Sequence, residues 1–168
     1  MGRPSTQDTP NLKQIRLRVA QLEDADAIAQ LVNRAFQVER FFIEGERTNP
    51  GAVRELLGKG KFLLAEQAGA LAGCVYLEAH GDRYYLGLLA VEPGRQGSGL
   101  GTLLMGAAEE DCRAAGARGI DLQIVSLRTE LPGYYRRLGY EESGTAPFPE
   151  NAQPKQPCHF IRMSKKLE

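Results

Sequence analysis

The 168-residue chain has no tryptophan, only three cysteines and two histidines, and no excess of either charge. Each scarcity argues against a class of protein. Cys74, Cys112 and Cys158 are odd in number and far apart, without a CxxC pair, which argues against a disulfide framework and a structural zinc site. Such cysteines fit a reducing compartment, so a cytoplasmic location is expected. His80 falls at a turn and His159 between Cys158 and Phe160; both read as structural histidines, and no metal is expected. Lys plus Arg equals Asp plus Glu at 21 each, so no global field draws the chain to nucleic acid or to an anionic membrane. No apolar run is long enough to span a bilayer, and the N-terminus is polar rather than signal-like. What is present is an ordinary globular composition, 42% hydrophobic and 25% charged, on a chain long enough for one unstapled core. Composition leaves a homodimer open.

Residues 1–13, rich in Pro, Thr and Gln, read as a disordered leader, and residues 14–168 as one domain. Gln14–Ala20 alternates Ile15, Leu17 and Val19 with Arg16 and Arg18, predicting a strand with its apolar side buried. Asp24 precedes Ile28, Leu31, Val32, Ala35 and Phe36 at helical spacing. Residues 37–50 lack periodicity, and a short helix is expected near Ala52–Leu57. Lys61–Gln67, Leu71–Glu78 and Arg83–Val91 are separated by Ala68-Gly69 and Gly81-Asp82, which predicts an antiparallel meander. A long helix over Gly99–Ala115 leads to a strand at Ile120–Val125, expected parallel to the strand before the helix. A short helix over Glu130–Leu138 and two closing strands, Tyr140–Ser143 and His159–Lys165, complete an α/β order around the loop Pro147–Pro157.

The strongest chemical signal is Gln96-Gly97-Ser98-Gly99-Leu100-Gly101-Thr102, between a strand and a helix. Glycines let the backbone approach a bulky anion, and the helix start aims free N–H groups at it. Charge-assisted bonds of this kind are worth roughly 1.5–3 kcal/mol each, so several hold a pyrophosphate without a lysine. A Walker A loop ends in Gly-Lys-Ser or Gly-Lys-Thr, and this one ends in Gly101-Thr102 with no lysine. A dinucleotide fingerprint requires GxGxxG in a βαβ unit with a later acidic residue; here the glycines fall at 97, 99 and 101, and the next strand ends Ile124-Val125.

In this loop and in a second segment the chain resembles the GNAT superfamily of N-acetyltransferases. Gln96-x-x-Gly99-x-Gly101 is similar to that family's CoA-binding pattern, and Leu89-Ala90-Val91-Glu92-Pro93 to the end of its fourth strand. Tyr134-Tyr135-Arg136-Arg137-Leu138-Gly139-Tyr140 is similar to its helix-to-strand segment. The resemblance runs from Ile15 to Leu167. It implies the GNAT fold, a mixed twisted β-sheet with splayed central strands flanked by helices and with acetyl-CoA in the splay. The implied activity carries the acetyl group of acetyl-CoA to a primary amine, on a small molecule or peptide, by direct attack in a ternary complex. A catalytically weak CoA-binding regulatory module is the other reading of the same fold.

The resemblance also implies residue roles. The backbone of Leu89, Ala90 and Val91 would bond the pantetheine arm, with the Leu89 N–H polarising the thioester carbonyl. Gln96, Gly97, Ser98, Gly99, Leu100, Gly101 and Thr102 would hold the pyrophosphate. Tyr135 would be the general acid to the departing thiolate, with Tyr134 as its alternate. Arg128 stands where many relatives have an asparagine, and would reach a phosphate or an acidic substrate. An alkylammonium of pKa ~10.4 must lose its proton, at about 4–5 kcal/mol at pH 7 without help. The strand-four glutamate of some relatives is Tyr85 here, so the candidate base is Glu78 acting through water, or Glu44 in the same way. Glu44 and Phe42, in the unpatterned 37–50 segment, are the candidates for gripping a cationic acceptor and covering its carbon chain.

Overall fold

Two tight turns and one bulge set the shape of the sheet. The computed structural model describes residues 14–167, so the leader expected over residues 1–13 lies outside the described residues. Strand β1 (Ile15–Val19) pairs antiparallel with β2 (Lys61–Gln67), β2 with β3 (Ala70–His80), and β3 with β4 (Arg83–Val91). The β2–β3 turn places Ala68 and Gly69 at φ 53° and 77°, the positive pair that a two-residue hairpin requires. Helix α1 (Ala25–Ala35) and helix α2 (Pro50–Lys59) come between β1 and β2. Asn49 caps α2 by accepting from the Ala52 N–H at 2.9 Å, so that helix starts earlier than its apolar residues indicate.

Helix α3 (Leu100–Ala114) carries the chain from β4 to the parallel strand β5 (Gly119–Val125). Helix α4 (Leu131–Arg137) follows, then β6 (Glu141–Pro147) and β7 (His159–Lys166). Strand β7 inserts between β5 and β6, giving the order β1-β2-β3-β4-β5-β7-β6. Alternation along the strands sends Phe62, Leu64, Cys74 and Tyr76 to the face covered by Ile28, Leu31 and Val32 of α1. Leu63, Val75, Leu77, Leu86, Ile120 and Leu122 point the other way, against Leu100, Leu104 and Met105 of α3.

Strand β1 departs from its sequence pattern. Leu17 and Val19 are exposed, while Arg18 is drawn inward by Asp24 and Glu66, at 2.7 and 2.6 Å. An edge strand has a neighbour on one side only, and here Ile15 packs against the core while Leu17 and Val19 do not.

The decisive irregularity lies in β4. Cys74 pairs with Ala90 and Tyr76 with Gly87, so Val75 faces two residues, Leu88 and Leu89. Leu88 takes φ 48°, a left-handed conformation costing a non-glycine residue about 1 kcal/mol. The Cys74 thiol donates to the Leu88 carbonyl at 3.6 Å, and burial pushes that thiol up to about 12, so it remains a neutral donor. Pairing of β4 with β5 is confined to Arg83–Tyr85 against Gly119–Asp121. Beyond Tyr85 the two central strands part.

Candidate active site

The gap between β4 and β5 opens into a cavity of ≈ 750 Å³ bordered by Leu89, Ala90, Val91, Gln96, Gly97, Gly99, Leu100, Gly101, Thr102, Arg128 and Tyr135. That size suits a small-molecule or cofactor site. A second cavity of ≈ 730 Å³ is lined by Tyr76, Glu78, His80, Tyr85 and Asp121. The two share Arg47, Tyr85, Gly87, Leu88, Leu122 and Gln123, so they meet at the bulge.

At one end of the first cavity the glycine-rich loop delivers the start of α3. Gly97 and Gly99 have φ 81° and 86°, conformations that an L side chain strains to adopt. Gly99 supplies no side-chain cap, and the first helical bond runs from Leu103 N–H to Gly99 C=O at 3.0 Å. The N–H groups ahead of it on this 15-residue helix have no intrahelical partner, and the positive end of the helix dipole lies there. Ser98 adds a buried hydroxyl without a partner, although the residue itself is not on the cavity lining. A β-carbon on Gly101 would sit 3.2 Å from the Tyr134 hydroxyl, which in turn lies 3.4 Å from Thr102 Oγ1. Donors without acceptors and room for close approach fit a polyphosphate.

Tyr135 lies on the wall of this cavity, 7% exposed, edge-on to Tyr134 and Tyr140 with ring centroids 5.1 and 5.9 Å away. Burial, reinforced by Tyr134, pushes its pKa above the usual phenol value, so it is protonated at neutral pH. Arg128 differs from expectation. Its guanidinium donates to Glu39 and to Glu130, each at 2.7 Å, with 14% of the side chain exposed. Its charge is answered by two carboxylates of the protein rather than left free for a phosphate or an acidic substrate. Glu39, on a 3₁₀ turn over Phe36–Phe41, is 89 positions away, and nothing local in the sequence marks the pair.

Glu78 faces the second cavity. It accepts from the Tyr76 hydroxyl at 2.7 Å and pairs with His80; Tyr76 first, then His80, holds its carboxyl below the usual range. The His80 ring stacks on Tyr85 at 5.9 Å and 13°. Alternation on β3 places Tyr76, Glu78 and His80 on one face, a constellation the sequence shows only as unremarked i, i+2, i+4 positions.

The structure does not bring Glu44 or Phe42 to either cavity. The Glu44 side chain is 84% exposed and 3.6 Å from Lys155, while Phe42 is fully buried edge-on against Phe41. The 3₁₀ turn tucks Phe42 inward, and the Phe42 carbonyl accepts from Lys155 N–H at 2.6 Å. From the same segment it is Arg47 that reaches the site. Among the described residues no cluster of His, Cys, Asp or Glu could hold a metal, and no helix is long and apolar enough to cross a membrane.

Residues 58–142, half the chain, match the family model described as the acetyltransferase (GNAT) domain. The chain belongs to the GNAT acetyltransferase family. It is therefore an acyltransferase with acetyl-CoA as its cosubstrate. Solved GNAT structures share the fold at low identity. Ard1 from Thermoplasma volcanium superposes with a TM-score of 0.78 at 15% identity, over 92% of this chain and 99% of that one. The PaiA N-acetyltransferase from Thermoplasma acidophilum, solved with coenzyme A, gives 0.74 at 17% identity over 91% and 99%. Nourseothricin acetyltransferase gives 0.74 at 21% identity over 92% and 99%. The GNAT fold inferred from the sequence is the fold observed.

Proposed function

We propose that the protein is an N-acetyltransferase whose acceptor is a primary amine, with both substrates bound together and the amine attacking directly. The observation that carries this is the meeting of two cavities at the β4 bulge, one ending in the glycine-rich loop and the other bearing Glu78. Acetyl-CoA supplies an activated thioester; the chain supplies position and charge. Gln96 to Thr102 would hold the pyrophosphate through the α3 N–H groups, with Ser98 completing the set. Leu88 and Leu89 stand outside the register of both neighbouring strands, which leaves the Leu89 N–H to polarise the thioester oxygen. Tyr135 donates a hydrogen bond to the leaving sulfur. Its raised pKa lies above that of an alkyl thiol (about 8.5), so it stabilises the thiolate without surrendering its proton for long. Glu78 stays ionised, attracts the ammonium and, through water, passes its proton toward His80 and solvent.

Two linked measurements test the reading. Acetyl-CoA at about a hundred times its Kd should stabilise the fold by about 2.7 kcal/mol, raising Tm by about 5–10 °C. Gly99→Val forces a β-branched residue to φ 86° beside the phosphates and should abolish that rise. A CoA-thiol release assay with an amine panel then reports transfer. A folded Gly99→Val protein with the parent's thermal shift would overturn the loop assignment. A parent that binds acetyl-CoA yet releases no thiol with any amine would be a binding module.

A further inference from the structure

Charged groups already matched inside the protein do not recruit ligands, and the second cavity sorts cleanly by that test. Asp121 receives two guanidinium bonds from Arg83, both at 2.8 Å, and the Ser164 hydroxyl at 2.6 Å. Glu78 accepts from the Tyr76 hydroxyl and pairs with His80, but among the described residues no lysine or arginine meets its carboxylate. Arg47 and Arg162 also line the cavity, and neither has an ion-pair partner among the described residues. The groups without an ion-pair partner of fixed charge are thus two guanidinium groups and the Glu78 carboxylate. A bare alkylamine or polyamine offers these guanidinium groups nothing, whereas an oxyanion matches their planar fork.

Placement narrows the ligand further. The Arg47 guanidinium lies 5.4 Å above the Phe36 ring centroid, a cation–π contact that holds the group without neutralising it. Arg47 borders both cavities, so it stands at the junction where the acetyl group meets its acceptor. An anion bound there lies close to the reacting amine. Arg162, on β7 opposite Gln123 of β5, belongs to the second cavity alone.

We infer that the acceptor is a small amino acid whose carboxylate is held by Arg47, while Arg162 reads an oxygen-bearing group at the other end of the molecule. This rests on the acetyltransferase reading and names its substrate class. Glu78 would then face the ammonium and Arg47 the carboxylate of one zwitterion.

The test compares glutamate, aspartate and alanine with their α-amides and with putrescine, by CoA-thiol release at fixed acetyl-CoA. Each free acid should exceed its α-amide in kcat/KM by about tenfold or more, and putrescine should trail both. Arg47→Gln should collapse the acid-over-amide ratio toward one, with Arg47→Lys restoring part of it. Arg162→Gln should narrow the preference for glutamate over alanine. Calorimetric titration of glutamate into the CoA-loaded protein gives a second readout: binding in the parent, lost in Arg47→Gln. Amides or putrescine acetylated as well as the acids, or an acid-over-amide ratio unmoved by Arg47→Gln, would overturn the inference. Should no amine release thiol while acetyl-CoA still stabilises the protein, the transfer reading fails, and the glutamate titration decides the amino acid site on its own.

Discussion

The Tyr135 phenol, the Arg128 guanidinium and the Glu44 carboxylate were marked by sequence alone, and the structure treats each differently. Tyr135 is on the cavity wall because the helix-to-strand segment that contains it is local: α4 starts at Leu131 and Gly139, at φ 96°, ends the turn. The match of that segment to the GNAT pattern was therefore enough to place it. Arg128 and Glu44 depend on partners distant in sequence, Glu39 and Lys155, and no periodicity announces such pairs. Tyr134 and Tyr140 hydroxyls contact Thr102 and Glu109, whereas the Tyr135 hydroxyl has no protein hydrogen bond among the described residues. Tyr135→Phe therefore leaves no orphaned partner, and its melting temperature should match the parent. Loss of the donor to the leaving sulfur should lower kcat by about 10²-fold while the KM for acetyl-CoA changes little. Steady-state kinetics beside a thermal melt checks this; a parallel fall in stability and activity would make Tyr135 a packing residue.

Among the elements, helices and hairpins were legible because their signals are short-range. The α3 stripe of Leu100, Leu104, Ala108 and Cys112 is buried as its spacing predicts, and the β2–β3–β4 meander follows its turn residues. The bulge, the short β4–β5 pairing and the insertion of β7 beside β5 arise between strands, where periodicity carries no pattern to read, and the splay was expected only through the family resemblance. The same holds for the tie between α3 and β7. Lys165 reaches both Glu109 oxygens at 3.0 Å and the Leu138 carbonyl at 2.7 Å, with the Tyr140 hydroxyl 3.3 Å from Glu109. Glu109 is 8% exposed, so neutralising it strands a half-buried ammonium. Glu109→Gln should lose about 3 kcal/mol in urea unfolding, and the double variant Glu109→Gln, Lys165→Met should recover most of that loss. Because the tie lies outside the cavities, kcat/KM of the folded Glu109→Gln enzyme should equal the parent's. A loss below ~0.5 kcal/mol would show the tie to be solvated.

For the whole molecule the charges balance, 21 against 21, so acid does two things at once. Protonating carboxylates makes the chain strongly cationic, a repulsion common to the parent and any single variant. It also removes particular partners. Asp24 is held below its ordinary value of 3.8 by Arg18, and Asp121 below the same value by Arg83. A carboxylate with a depressed folded pKa stabilises the fold fully above its unfolded pKa, and that contribution is lost as pH falls through the folded value. The relevant window opens near pH 5 and runs downward. Asp24 joins the start of α1 to the β1 edge, and Asp121 closes the vertex where β4 and β5 last touch. Asp121 is the more exposed at 44% of its side chain against 18% for Asp24, so solvent screens its pair more. Asp24→Asn should thus be less stable than the parent at pH 7, by more than Asp121→Asn is. Both gaps should narrow as pH falls from 5 toward 3, since the parent then loses what the variants never had. Urea midpoints at pH 7, 5, 4 and 3 provide the comparison; gaps that stay constant across that range would show that these pairs do not set the acid limit of the fold.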